Sequence, residues 1–177
     1  MSRLISDAYQ KLNYDLHKND PSFGSAGADG VEWAARMVRD TNAQSLLDYG
    51  CGKGGLKPAL LVRCPGLDIR EYDPAISGKT ADPAPADVVF CGDVMEHIEP
   101  EYLDSVLAHI ASLAKKVAFL GISCFPAMKT LPDGRNAHLI VQDHDWWQAK
   151  VERYLRVIKA VRGESHLLIW GSAAKQT

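Results

Sequence analysis

The stretch "QSLLDYGCGKGGLKPALL", residues 44–61, most constrains how this chain can fold. A short apolar run ends at Asp48, Gly50, Gly52 and Gly54 follow at alternate positions, and a helical pattern then begins. Glycine reaches backbone conformations closed to other residues and lets a chain pass close to a ligand. The stretch therefore reads as a buried strand turning sharply into a helix, whose N-terminus lies beside the turn. A G-x-G pattern alone is weak evidence, and a plain strand-to-helix turn is the alternative. The acid ahead of the glycines narrows the ligand. Asp48 would repel a pyrophosphate and suits a group carrying an ammonium or sulfonium charge.

The rest of the chain alternates in the same way. "LDIREYDP", "ADVVFCGD", "KKVAFLGIS" and "SHLLIWGS" read as further strands. "VEWAARMVRDT" places Val31, Ala34, Ala35 and Val38 on one helical face, and "PEYLDSVLAHIASLA" does the same with Leu103, Val106, Leu107, Ile110 and Leu113. Pro58 belongs to the first turn of the helix after the glycines. Residues 143–161, "DHDWWQAKVERYLRVIKAV", read as one helix capped by Asp143 or Asp145. Such alternation predicts an α/β, Rossmann-like fold with a mostly parallel sheet and helices on both faces. Its ligand belongs at the carboxyl ends of the strands. With 177 residues, the expected organisation is a single domain over 1–177. Within it, residues 1–30 form an N-terminal amphipathic helix and a loop, "NDPSFGSAGADG", that covers the site.

Charge and cysteine usage limit the partners. The net charge of −2 draws the chain neither to nucleic acid nor to anionic lipid, although it does not exclude a polyanion. Lys150, Arg153, Arg156, Lys159, Arg162 and Lys175 make the C-terminal part locally basic, as a solvated helix face or a phosphate-contacting patch. Cys51, Cys64, Cys91 and Cys124 lack C-x-x-C spacing and read as free thiols of a cytoplasmic protein. No apolar run approaches the ~20 residues of a membrane span.

"LLDYGCGKG" resembles the first motif of class I S-adenosylmethionine-dependent methyltransferases, acid-x-Gly-x-Gly-x-Gly. "REYDPAI" resembles the end of that family's second strand, whose acid binds ribose hydroxyls. Asp73 fits this place better than Glu71, with a turn-forming Asp-Pro as the alternative. "ADVVFCGDVMEHI" is similar to the fourth strand and the turn after it. The resemblance implies S-adenosylmethionine as cofactor and S-adenosylhomocysteine as product. Asp48, Gly50, Cys51, Gly52 and Gly54 would hold the methionine and ribose portions, and Asp73 with Pro74 the ribose hydroxyls. Asp93 and Val94 would border the adenine or methionine side, with Gly24 in the covering loop beside Phe23 and His17. His97 and His138 would stand at the reactive end. The implied reaction moves a methyl group to an oxygen or nitrogen of a small molecule or sugar. One departure is plain: "PAISGKTADPAPA", residues 74–86, is too short and Pro-rich for the usual third strand and its helix. Both are expected to be reduced or missing. The edge so exposed could be covered by a second copy in a homodimer.

"GDVMEHIEPE", residues 92–101, carries two readings. Asp93, Glu96 and His97 are spaced i, i+3, i+4 and share one face if the segment is helical. Asp93 could then cap a helix start in a capping-box manner. Alternatively Asp93, Glu96, His97 and His138 offer oxygen and nitrogen donors to a divalent metal. The second reading resembles small-RNA 3′-terminal 2′-O-methyltransferases, and implies ribose 2′-O-methylation of RNA or a nucleotide. A similar Glu-His occurs in small-molecule O-methyltransferases of quinone biosynthesis. A non-catalytic S-adenosylmethionine-binding protein and a nucleotide-binding dehydrogenase complete the alternatives. Of Trp146 and Trp147, one is expected in the core and the other free to stack on substrate.

Overall fold

The computed structural model describes residues 3–21, 23–24 and 30–173. Every residue of β1 (Ser45–Tyr49) is buried. On one side of it lies β2 (Asp68–Tyr72). On the other lie β3 (Ala86–Gly92), β4 (Ala114–Ser123), β6 (His166–Ala173) and β5 (Leu155–Arg162), giving the order β2-β1-β3-β4-β6-β5. The first four are parallel, and β6 runs antiparallel to both of its neighbours.

Period-two alternation divides the apolar side chains between two layers. Leu47, Val89 and Cys91 face α4 (Leu103–Leu113) and α5 (His144–Glu152). Leu46, Val88 and Phe90 face α2 (Val31–Thr41) and α3 (Leu56–Arg63). The Phe90 and Phe119 rings stack 4.7 Å apart in that second layer, and Trp170 meets Phe119 edge-on. Trp147 is fully buried while Trp146 is partly exposed, so the adjacent pair divides as its sequence suggests.

No strand or helix occurs between β2 and β3, and residues 73–85 form an irregular strap. β2 is therefore a sheet edge, and the third strand-helix unit is missing as the proline content implies. Arg70 on β2 donates to the Pro85 carbonyl at 3.3 Å and ties the strap to that edge.

One sequence expectation fails. Residues 143–161 are not a single helix: α5 ends at Glu152, and β5 follows. Val151, Tyr154, Leu155 and Ile158 recur at helical spacing, which misleads a periodicity argument. The pairing passes from Val157↔Gly171 to Lys159↔Trp170, leaving Ile158 as an extra, outward residue. Such a bulge shifts the in–out alternation and hides the strand's period. Asp143 caps α5, accepting from the Trp146 amide at 2.8 Å. The basic residues of this region are occupied internally. Lys150 and Arg153 flank Asp104, Arg162 pairs with Asp145 at 2.6 Å, and Lys159 lies over the Trp170 ring. Lys175 lies outside the described residues.

Leu47→Ala should lower stability by about 2–5 kcal/mol, because the central layer cannot collapse around the lost volume. Ile158→Ala should cost no more than about 0.5 kcal/mol, as expected of an exposed position. Urea unfolding midpoints of the two variants, compared with the parent chain, measure the difference.

Candidate active site

The carboxyl ends of β1, β2 and β3 meet around the glycine turn. Gly50 and Gly52 both have positive φ, 77° and 50°. A Cβ at Gly50 would stand 2.5 Å from Val94, and one at Gly52 would stand 2.6 Å from the Gly24 carbonyl. The turn therefore requires glycine for its conformation and for its close packing. The amides of Gly50 and Cys51 donate to the Tyr72 carbonyl at 2.8 and 3.1 Å. The Gly52 amide donates to Asp73 Oδ2 at 3.0 Å, and the Ala75 amide to Asp73 Oδ1 at 2.8 Å. Each carboxylate oxygen keeps a further acceptor site beyond these bonds. Glu71 is directed elsewhere: it pairs with Lys79 at 3.1 Å, and Lys79 also donates to the Gly52 carbonyl.

Asp48 lies beneath the turn, and its Oδ2 has no hydrogen-bond partner among the described residues. Burial, reinforced by the nearby negative Glu71, pushes its carboxyl up to about 7. A carboxyl held there at the edge of ionisation is stabilised by an arriving cation.

A cavity of about 370 Å³ opens over these residues. Of the residues the sequence singles out, Gly24, Gly50, Gly52, Asp73, Pro74 and Asp93 line it, together with Val94 and His97. Asp48, Cys51 and Gly54 stand behind its wall and support the turn. Burial pushes the Cys51 thiol up to about 12, so it stays protonated. The Gly24 carbonyl accepts from the Lys53 amide at 3.0 Å, which joins the covering segment to the glycine turn. Residues 22 and 25–29 of that segment lie outside the described residues.

Of the cavity's outer wall, sequence reading named His17 and missed Tyr9 and Asn13. Tyr9, Asn13 and His17, spaced by four on α1 (Asp7–Asn19), all line it. That spacing on an amphipathic helix was the available signal. Tyr9 Oη donates to the His97 carbonyl at 2.9 Å and Gln10 to the Pro74 carbonyl at 2.6 Å. Glu99 accepts from both the backbone and the hydroxyl of Ser6, at 2.9 and 2.6 Å. Lys129 also lines the cavity, with its ammonium paired to Asp20 and lying 5.0 Å from the Phe23 ring centroid.

The segment after β3 corrects the helical reading. Asp93 has φ of 53°, left-handed for a residue with a side chain, and its amide donates to the Gly121 carbonyl at 2.9 Å. Residues Met95–His97 make a single 3₁₀ turn without a side-chain cap. No capping box forms, and Asp93 shares no helical face with Glu96 and His97. The left-handed residue turns the chain before any helix can start.

Glu96, His97 and His138 do come together: one ligand atom from each lies within 4.8 Å of the other two. Asp93 is outside this group. Glu96 is fully buried. Its Oε1 accepts from the Ser123 amide at 3.0 Å, Oε2 has no partner, and burial pushes the carboxyl up to about 7. His97 Nδ1 meets the Ala137 carbonyl at 2.8 Å, and His138 Nδ1 meets the Phe125 carbonyl at 2.6 Å. A carbonyl only accepts, so each Nδ1 carries a proton, and the tautomer this selects has its lone pair on Nε2. The ring centroids are 4.8 Å apart. Burial, with His138 adding to it, lowers His97 to about 4, so this ring is neutral at physiological pH.

No protein-family model matches the chain, and no curated protein is significantly similar to it in sequence. Solved structures do match. The mitomycin 7-O-methyltransferase is 16% identical with a TM-score of 0.66, over 91% of this chain and 60% of that one. The 1,6-didemethyltoxoflavin-N1-methyltransferase of Burkholderia thailandensis, solved with 1,6-didemethyltoxoflavin and S-adenosylhomocysteine, is 13% identical with a TM-score of 0.70, over 99% and 93%. An O-methyltransferase from neocarzinostatin biosynthesis, in complex with S-adenosyl-L-homocysteine and 1,4-dihydroxy-2-naphthoic acid, is 16% identical with a TM-score of 0.63, over 90% and 60%. The chain has the class I S-adenosylmethionine-dependent methyltransferase fold. It spans about 60% of the length of the mitomycin and neocarzinostatin enzymes. No helix among the described residues is long and apolar enough to cross a membrane.

The raised Asp48 carboxyl gives the fold a pH signature. The folded chain binds this proton up to about pH 7, whereas the unfolded chain releases it near 3.8. Asp48 therefore costs nothing below pH 3.8, destabilises progressively as pH rises from 3.8 to about 7, and costs its full amount above that. Asp48→Asn should gain thermal stability relative to the parent at pH 8, keep only part of that gain at pH 5 and lose the rest as pH falls to 3.8. Unfolding midpoints across this range check the sign.

Proposed function

We propose that the chain is an S-adenosylmethionine-dependent methyltransferase that moves a methyl group to an oxygen or nitrogen of a small molecule or sugar. The observation that carries this reading is the partnerless Asp48 carboxyl buried under a glycine turn that opens into the cavity. A buried acid without a partner calls for a cationic ligand. S-adenosylmethionine, when bound, supplies an electrophilic methyl on a positive sulfonium. Asp48 supplies the opposite charge beside its amino-acid end, and the glycine turn lets the backbone approach. Asp73, locked by the Gly52 and Ala75 amides, presents its remaining lone pairs to the ribose hydroxyls. Val94 and Asp93 border the bound cofactor, and Gly24 closes over its methionine end.

Displacement at a methyl needs alignment and proximity more than charge stabilisation. α1 supplies both by walling the cavity, and it keeps water from the site. One of the two imidazoles, His97 or His138, takes the acceptor's single proton on Nε2, its Nδ1 fixed by the Ala137 or the Phe125 carbonyl. The small-molecule class is favoured by the cavity's volume of about 370 Å³, and by the 1,6-didemethyltoxoflavin and 1,4-dihydroxy-2-naphthoic acid bound in two neighbouring structures. RNA is disfavoured by the net charge of −2 and by the internally paired basic residues.

A second reading has its own support: Glu96 Oε2 has no partner among the described residues, and one ligand atom from each of Glu96, His97 and His138 lies within 4.8 Å of the other two. Two nitrogens and one carboxylate suit a divalent cation and leave coordination positions open. Glu96, His97 and His138 would hold such an ion, which would bind and polarise the hydroxyls of the acceptor, as on a ribose. Asp93 has no part in this set.

Calorimetry with S-adenosylhomocysteine and with NAD tests the cofactor. Binding of the former is expected, with a loss of at least about tenfold in Asp48→Ala. Binding of NAD alone would sink the reading. Methyl transfer should survive EDTA if the histidines act alone. Loss with EDTA and recovery with Mg²⁺ or Mn²⁺ selects the metal reading. Tight cofactor binding with no product from broad acceptor pools would mark a non-catalytic binder.

A further inference from the structure

A second cleft, of about 610 Å³, lies where the missing third strand and helix would have packed. Thr80 and Asp82 of the strap form one wall, and Ser105, Ala108, His109 and Ser112 of α4 form the other. It adjoins the cavity at the strand ends, with Leu4, Ile5, Tyr72 and Pro74 lining both. Its floor is rigid. His109 Nδ1 lies 3.0 Å from Tyr49 Oη, and the His109 ring stands edge-on to both Tyr49 and Tyr72.

The chemistry of the two cavities orients an adenosyl ligand. Asp48 and the glycine turn take its charged amino-acid end, and Asp73 its ribose. The part of the cavity left for the purine has flat apolar walls, from Pro74, Ile98, Val106 and Leu4. Purine faces suit such walls, but the exocyclic amino edge must reach polar groups or water. Beyond Tyr72 and Pro74, the cleft supplies both. A complete fold would put a strand and a helix against that edge.

We propose that this cleft extends the cofactor site and admits adenosyl ligands substituted on the exocyclic amino group of the purine. The inference rests on the cofactor reading above. The substituent leaves between Tyr72 and α4 and lies against the Ala108 side of the helix. Thr80, Asp82 and the α4 serines leave room for polar as well as aromatic extensions.

Calorimetry on the full chain with S-adenosylhomocysteine and its N6-benzyl derivative tests this. The two should bind within about threefold of one another. A derivative weaker by more than about tenfold, the order expected of a bulky group forced against packed walls, overturns the proposal. Ala108→Trp lines only the cleft and narrows it. It should weaken the N6-benzyl derivative by at least about tenfold and leave S-adenosylhomocysteine within about threefold. Undiminished binding of the derivative by a folded Ala108→Trp would place the substituent elsewhere and overturn the assignment. Absence of binding by both ligands to the parent chain refutes the cofactor reading itself, and the inference with it.

Discussion

The site depends on one buried carboxylate, that of Asp73, held between the amides of Gly52 and Ala75. These bonds join the end of β2 to the glycine turn after β1. The Tyr72 carbonyl, taking the Gly50 and Cys51 amides, adds a second seam between the same two ends. The turn is thus held in a left-handed path so closely packed that a Cβ at Gly50 would meet Val94 and one at Gly52 the Gly24 carbonyl. Asp48 is left below it without a partner. A carboxyl so placed is tolerable because burial keeps it near its neutral form. The same arrangement is a local weakness of the fold.

Around this seam the sheet carries two apolar layers and a third, smaller cluster. That cluster joins Tyr9 to Leu131 and Ala137, with Ile5, Leu12, Leu16, Ala127 and Leu139 packed against it. Its members come from the segment around α1 and from the loop after β4, and both lie over the strand ends. The cover of the site is consequently assembled from two distant parts of the chain. His138 belongs to that cover, whereas Glu96 and His97 belong to the floor after β3. Their convergence depends on Asn136, whose side chain accepts from the Ala127 and His138 amides and shapes the loop. Tyr9 reinforces it through the His97 carbonyl.

The shortened link between β2 and β3 changes the site as well as the sheet. The strap leaves β2 at the edge and a polar cleft beside the cavity at the strand ends. Economy of chain length and openness of the site thus have the same physical origin.

Several features were legible from local chemistry. Glycine spacing after an apolar run announces a strand-turn-helix unit, and α4 follows from its apolar period. The missing third strand follows from thirteen Pro-rich residues that cannot hold it. Asp73 could be preferred to Glu71 by its place at the strand end. Other features were not legible, because local pattern and long-range packing disagreed there. β5 carries a bulge at Ile158 that imitates helical spacing. Asp93 looks like a helix cap, yet the Gly121 carbonyl and a left-handed backbone remove it from the Glu96–His97 face. The sequence by itself determined the α/β class, the glycine turn and the acids that surround it, since each is set by neighbouring residues. Only the tertiary structure decided that α1 walls the cavity, that His138 meets His97 and Glu96, and that a cleft opens beside Tyr72. These depend on contacts between segments tens of residues apart, which no local period encodes.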